Sequence, residues 1–214
     1  NVWMGSADYQ MNFNDDNSSF ITYAAWQNTK RKHYTGIFPD QEPEIQEHLE
    51  NPPYGTSNVT TLQGGFQLNH KVYDFIKGTN TFILGSEYVY DDVFDEISTY
   101  NYLIDQTTKD IGAFLQSDWE VSPSLTFLSG LRLDKHNLID NLVFSPRLSL
   151  LYKYKANTQF RLSYGTGFRA PQAFDTDLHI AFAGGGVSRV SLSPNLKQEK
   201  SQSLSTSINY DKPM

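Results

Sequence analysis

Asp134 and His136 have the residue types that general acid–base chemistry uses. They sit two positions apart, so in an extended strand both project from one face, where a carboxylate can orient an imidazole. Such a pair is the least a hydrolase would need, and a polar strand end beside a loop accounts for it more simply. Asp91, Asp92, Asp95 and Glu96 crowd hard oxygens into a short stretch. Oxygens that close together can hold Ca2+, although the spacing is not that of an EF-hand loop. Arg161 and Arg169 alternate with Phe160, Leu162 and Phe168 and fall on the opposite face. Guanidinium groups there can grip carboxylates through paired hydrogen bonds. Arg132, Arg147 and Glu87 repeat that placement within other alternating runs. No Gly-x-Ser-x-Gly elbow, phosphate-binding loop or His-Glu-x-x-His helix is present.

These groups need elements to position them, and the elements read as strands. Apolar residues recur with period 2 along most of the chain, and helical spacing is scarce. The alternation predicts strands near 2–13, 19–31, 58–74, 79–91, 107–119, 124–135, 145–155, 158–168 and 199–210. Composition agrees: 13 Tyr and 14 Phe favour pleated, half-buried surfaces. The chain carries 17 basic and 24 acidic residues, a net charge of −7, which gives no footprint for nucleic acid. It has no cysteine, so disulfide frameworks and thiolate metal sites are excluded. No apolar run reaches the length of a membrane helix, and no signal peptide is visible. Both ends break mid-pattern, which leads us to expect a fragment of a longer protein.

Nine long strands joined by alternately short and long connections describe an antiparallel up-and-down sheet. The expected long connections are 32–57, 92–106, 136–144 and 169–198, all at one end. Tight turns at one end and large loops at the other match the asymmetry of outer-membrane barrels. Aromatic residues at both strand ends match their interfacial girdles: Phe13, Tyr73, Phe75, Trp119, Tyr154 and Tyr210 beside the short turns, and Tyr88, Tyr90 and Phe168 toward the loops. An odd strand count suits a piece of a larger wall. Two other classes fit parts of the pattern. A soluble secreted β domain that binds glycans would gather its aromatics in one groove. A small outer-membrane barrel hydrolase would use Asp134 and His136 and close with an even number of strands.

The stretch YGTGFRAP (164–171), followed after a long loop by SPNLKQEKSQS (193–203), resembles the C-terminal part of TonB-dependent outer-membrane receptors. Phe168-Arg169-Ala170-Pro171 fits that pattern fully, while Ser193 and Gln198 depart from the usual Asn and Pro. GAFLQSDWE (112–120), SGLRLDKHN (129–137), FSPRLSLLYKY (144–154) and YAAWQNTKRKHYTG (23–36) are similar to the same family in Bacteroidetes, and RAPQAFDTDLHI (169–180) to its branch for bulky cofactors or chelates. The resemblance implies an all-β segment of a larger barrel of about 22 strands, without its plug domain. It implies no enzymatic activity and no required cofactor. The implied function is TonB-driven import of a scarce, bulky nutrient across the bacterial outer membrane: a ferric siderophore, haem or cobalamin. The implied partners are the TonB complex, the plug, outer-membrane lipid and an iron-chelate, haem or corrinoid ligand. Arg169, Asp175, Asp177, His179 and Arg189 become ligand-binding candidates in the 169–198 loop. Arg132, Arg147, Arg161 and Glu87 become candidates facing the lumen and plug.

Overall fold

A computed structural model describes residues 1–155, 157–172, 180–183, 186–189 and 195–211. The strands are β1 (Val2–Phe13), β2 (Ser18–Tyr34), β3 (Tyr54–Val72), β4 (Thr79–Ile97), β5 (Tyr102–Ser122), β6 (Leu125–His136), β7 (Val143–Lys155), β8 (Thr158–Arg169), β9 (Ile180–Ala183), β10 (Gly186–Arg189) and β11 (Glu199–Tyr210). One short helix, α1 (Glu44–Glu50), lies between β2 and β3. Nine strands form a single sheet in the order β1-β2-β3-β4-β5-β6-β7-β8-β11, and β9 and β10 pair separately. All neighbours are antiparallel. The nine expected strands and the meander are therefore present.

Register follows the apolar alternation. Phe20, Leu68, Leu84, Leu115, Leu131 and Pro146 are cross-strand partners in one row. They stand on one face of the pleat, because partners in register share a face. A parallel row, Tyr23, Gly65, Glu87, Gly112 and Asp134, occupies the other face. The first face is apolar and open: Leu84 is 50 % and Leu115 54 % exposed. Among the described residues no second layer covers it. The buried apolar residues among those described are few (Val93, Ile97, Tyr102, Ile139, Val143 and Ala170) and lie toward the end away from the short turns. A soluble sandwich needs two layers around one core, so that alternative fails among the described residues.

The short connections are 14–17, 73–78, 123–124 and 156–157. Asn14, Asp15 and Asp16 all take left-handed φ angles, which asparagine and aspartate tolerate better than most residues. Gly78 has φ +80°, and a Cβ there would run into the Glu120 carbonyl. Just above these turns aromatics pack on the apolar face. Phe75 meets Phe82 and Trp119 edge-on at 5.3 and 5.8 Å. Trp119 Nε1–H donates to the Lys77 carbonyl at 2.7 Å. Tyr152 stacks on Phe160 at 6.5 Å. On β4 the apolar run from Phe82 to Tyr90 rises roughly 20 Å at ordinary strand rise and tilt, close to the height of a lipid-facing band.

At the opposite end the strands outrun expectation. The 92–106 connection is instead the continuation of β4 and β5, closed by a tight 3-10 turn at Ser98–Tyr100. The other connections shorten to 35–53 and 137–142, while 170–198 holds the β9–β10 pair. The cause is chemical. Above Tyr90 the outward positions become polar: Asn28, Lys30, Thr60, Asp92, Glu96 and Thr107 share that face by register. With both faces wet, the alternation disappears although the ladder continues. Replacing outward Leu115 with arginine is expected to destabilise the full-length protein in lipid bilayers by about 2–4 kcal/mol. Arginine at inward Gln116 should cost under ~1 kcal/mol. Guanidinium unfolding titrations of both variants check this.

Candidate functional site

The inward face of β2–β6 gathers a polar cluster around Glu87. Tyr23 Oη–H donates to Glu87 Oε1, and Gln63 Nε2–H donates to the same oxygen at 2.8 Å. Arg132 Nη1–H reaches Glu87 Oε2 at 3.3 Å, and Arg132 Nε–H reaches Asp134 Oδ1 at 2.7 Å. Asp134 is 1 % exposed. Gly112 lies between Glu87 and Asp134 on the intervening strand. A Cβ there would collide with the Arg132 guanidinium and the Asp134 carboxylate, so the ion pairs need glycine at that point. Asp110 Oδ1 and Asp134 Oδ2 are buried without a hydrogen-bond partner among the described residues. Arg132 and Glu87 thus stand where alternation placed them, on the inner face. Tyr23 and Gln63 escaped sequence reasoning, although the parity of β2 and β3 points both inward.

Arg147 and Arg161 also face inward, opposite Gly165 and Ser207. Arg147 is flanked by Gly130 on one side and Gly165 on the other. It lines a hollow of about 430 Å³ with Gln116, Arg132, Ser163 and Ser203. Arg169 pairs across strands with Glu199, its Nη1 4.0 Å from Glu199 Oε2. Asp175, Asp177 and His179 lie outside the described residues, as does any account of the Arg189 side chain.

Asp134 and His136 do share a face, yet they form no acid–base relay. Asp134 is held by Arg132. The Leu138 N–H donates to His136 Nδ1 at 3.1 Å, and the Gln172 amide lies 3.3 Å from Nε2. His136, 3 % exposed, therefore ties the segment after Phe168-Arg169-Ala170-Pro171 to the top of β6. Ala170 packs there with Ile139, Val143 and Phe168. Lys135 Nζ–H groups donate to the Ile139 and Asp140 carbonyls and close the 137–142 turn. Gln172 and Ala170 were missed as anchors, because a loop's packing partners carry no periodic signal.

The acidic stretch does not converge into a calcium site. In β4 successive side chains take opposite faces, so Asp91 and Asp95 point inward while Asp92 and Glu96 point outward. Thr61 donates to Asp91 Oδ1 at 2.6 Å and Thr107 to Asp92 Oδ1 at 2.7 Å. Among the described residues no cluster of three metal-ligating side chains exists. Farther up, burial and the Asp95 carboxylate push the Tyr102 hydroxyl well above the usual phenol range. Around α1, Tyr34 contacts Tyr54 at 5.5 Å and the His48 ring at 5.8 Å, and Phe38 packs on His48 at 5.0 Å.

Residues 1–213 match the family model described as TonB dependent receptor-like, beta-barrel. The siderophore receptor PirA from Pseudomonas aeruginosa superposes with a TM-score of 0.72 at 14 % identity, over 99 % of this chain and 37 % of that one. The ferric enterobactin receptor PfeA of Pseudomonas aeruginosa, solved with enterobactin, gives 0.76 at 18 % identity, over 98 % and 32 %. The copper transporter OprC gives 0.71 at 14 %, over 99 % and 36 %. The chain spans about a third of the length of these solved proteins, and likeness at such identities speaks to fold alone. No curated protein matches the sequence. Arg132→Met would leave the buried Asp134 carboxylate without its partner. It is expected to lower stability by about 1–3 kcal/mol, with only partial rescue by Arg132→Lys, since ammonium lacks the guanidinium fork. Thermal unfolding of the full-length protein checks both.

Proposed function

The chain belongs to the TonB dependent receptor-like β-barrel family, and from that premise we propose that it is part of the wall of an importer that takes up a chelated metal or similarly bulky scarce nutrient. Members of this family are outer-membrane receptors of Gram-negative bacteria and not enzymes, so the wall resides in that membrane and the hydrolase alternative falls. The family match across residues 1–213 is the observation that carries the reading. The apolar outward face supports it, as lipid would cover that face.

Within this reading, lipid surrounds the band from Phe82 to Tyr90 and its cross-strand neighbours. The connections 35–53, 98–101, 137–142 and 170–198 lie outside the cell, and the tight turns lie in the periplasm. A plug domain of the longer protein occupies the inward face. There Glu87, Arg132, Arg147 and Arg161 meet it, while the external loops capture ligand. Arg169, Asp175, Asp177, His179 and Arg189 sit on or next to the 170–198 connection and are its ligand-facing candidates. TonB then draws on the plug to release the ligand inward. Among ligands, a ferric siderophore ranks ahead of haem and cobalamin, because PirA and PfeA are siderophore receptors. No resident cofactor is needed for this work.

Deletion of the gene should abolish growth on its cognate ferric chelate as sole iron source, and a plasmid copy should restore growth only where TonB is present. Growth on every ferric siderophore, haem and corrinoid supplied, unchanged by the deletion, would contradict the importer reading.

A further inference from the structure

The rim of the wall is stepped. β6 ends at His136, opposite Asp110, and β7 begins at Val143, opposite Asp134. β4 and β5 run on above that level and stay paired up to Ile97 and Tyr102, with β3 beside them to Gly55. One side of β5 therefore leaves its neighbour behind at Asp110, while the strand itself reaches Tyr102.

The ladder shows what that side of β5 offers. The Asn137 N–H donates to the Lys109 carbonyl at 2.9 Å, so Lys109 turns its backbone groups toward β6. Alternate residues of an antiparallel strand face the same neighbour, so Leu103, Asp105 and Thr107 turn theirs the same way. The Asn137 side chain adds one more rung, accepting from the Lys109 N–H at 2.8 Å and donating to the Thr107 carbonyl at 2.9 Å. Above it, the N–H groups of Leu103, Asp105 and Thr107 and the carbonyls of Leu103 and Asp105 have no partner among the described residues.

Leu103 is 60 % exposed, and Asp105 is exposed as well. Open edges are usually blunted by proline, lysine, a bulge or a covering element. Residues 103–107 carry no proline and no lysine, and their pairing with β4 has no bulge. Their one charge, Asp105, has no hydrogen-bond or ion-pair partner among the described residues. Asp92 and Glu96 flank it diagonally on the outward face of β4. Bare backbone groups in register suit an extended chain, and three carboxylates on one face suit basic side chains on that face.

We propose that residues 103–107 of β5 bind an extended segment of a partner protein outside the cell, adding it to the sheet as an antiparallel strand with a basic side chain opposite Asp105. In such strand addition main-chain hydrogen bonds supply affinity and side chains supply selectivity. Only the extracellular position of the edge rests on the importer reading above. The residue opposite Asp105 turns its own N–H and C=O toward β5 and its side chain outward. In a strand of alternating lysine and valine, the lysine N–H groups then join the ladder and the valine N–H groups do not.

The probe is a fluorescent, end-capped hexapeptide of alternating lysine and valine. It is titrated against the purified full-length protein in detergent and against intact cells that do or do not produce the protein. Methylating the lysine backbone nitrogens should weaken binding about 10-fold or more. Methylating the valine nitrogens, at the same charge, should change it by less than about 2-fold, since those groups stay outside the ladder. Asp105→Pro removes an N–H that the β4 ladder does not use, and it should weaken the parent peptide about 10-fold or more. Asp105→Asn keeps that N–H and should cost about 2- to 5-fold. Heat-modified gel migration verifies that both variants are folded. Equal binding of the two methylated peptides, or no binding of the parent, overturns the proposal. Binding that appears only after deletion of residues 173–194 assigns the edge to the chain's own loop and overturns it too. Binding to the purified protein but not to producing cells overturns the extracellular partner. Growth on the ferric chelate is measured separately, and its failure sinks the importer reading while the methylated peptides still decide strand addition.

Discussion

A sheet one layer thick cannot bury its apolar face against itself. That constraint governs this chain. Its nine strands place Leu84, Leu115 and their cross-strand partners on a face that no helix or second sheet covers among the described residues. Water would not tolerate so extended an apolar surface, and hydrocarbon would. The opposite face holds carboxylates, guanidinium groups and glycines, which hydrocarbon would not tolerate. Only a wall between lipid and a polar lumen satisfies both faces. The aromatic packing of Phe75, Phe82 and Trp119 beside the short turns marks where one face meets the interface.

The same constraint explains how function is distributed. A strand wall offers fixed side chains at a two-residue period, so the inner face becomes a patterned surface rather than a catalytic pocket. Arg132 bridges Glu87 and Asp134 there, at 3.3 and 2.7 Å. Under the proposed function, recognition of a ligand falls to the connections, and the longest of these is held at its root. His136, Gln172 and Ala170 dock the start of 170–198 onto the top of β6 and the 137–142 turn. The Phe-Arg-Ala-Pro pattern thus reads physically as a strand end followed by an anchor. Ala170 is buried against Ile139 and Val143 at that point.

The strands, their order and both faces were legible in the sequence wherever one face meets lipid, since only there does period 2 carry a burial signal. Above Tyr90 that signal vanishes, and Asp91, Asp92, Asp95 and Glu96 read as an acidic loop. The structure pairs them as strand, with Asp91 and Asp92 hydrogen-bonded to threonines on opposite faces. Parity likewise puts Arg132, Arg147, Arg161 and Glu87 on the face opposite the apolar rows, because register is fixed once those rows align. The contacts of Tyr23, Gln63 and Gln172 were not legible. They depend on which strand lies beside which and on how a turn folds back, and neither leaves a period in the sequence.

The central claim is that one face of this wall lies in lipid up to a definite height and in water above it. Single cysteines along the outward face of β5 in the full-length receptor test it directly, since this segment has none of its own. Labelling of intact cells with a membrane-impermeant maleimide should modify Leu103→Cys and Asp105→Cys. It should leave Ile111→Cys, Ala113→Cys and Leu115→Cys untouched, while a lipid-soluble reagent reaches them. Equal reaction of all five positions with the impermeant reagent would contradict the account.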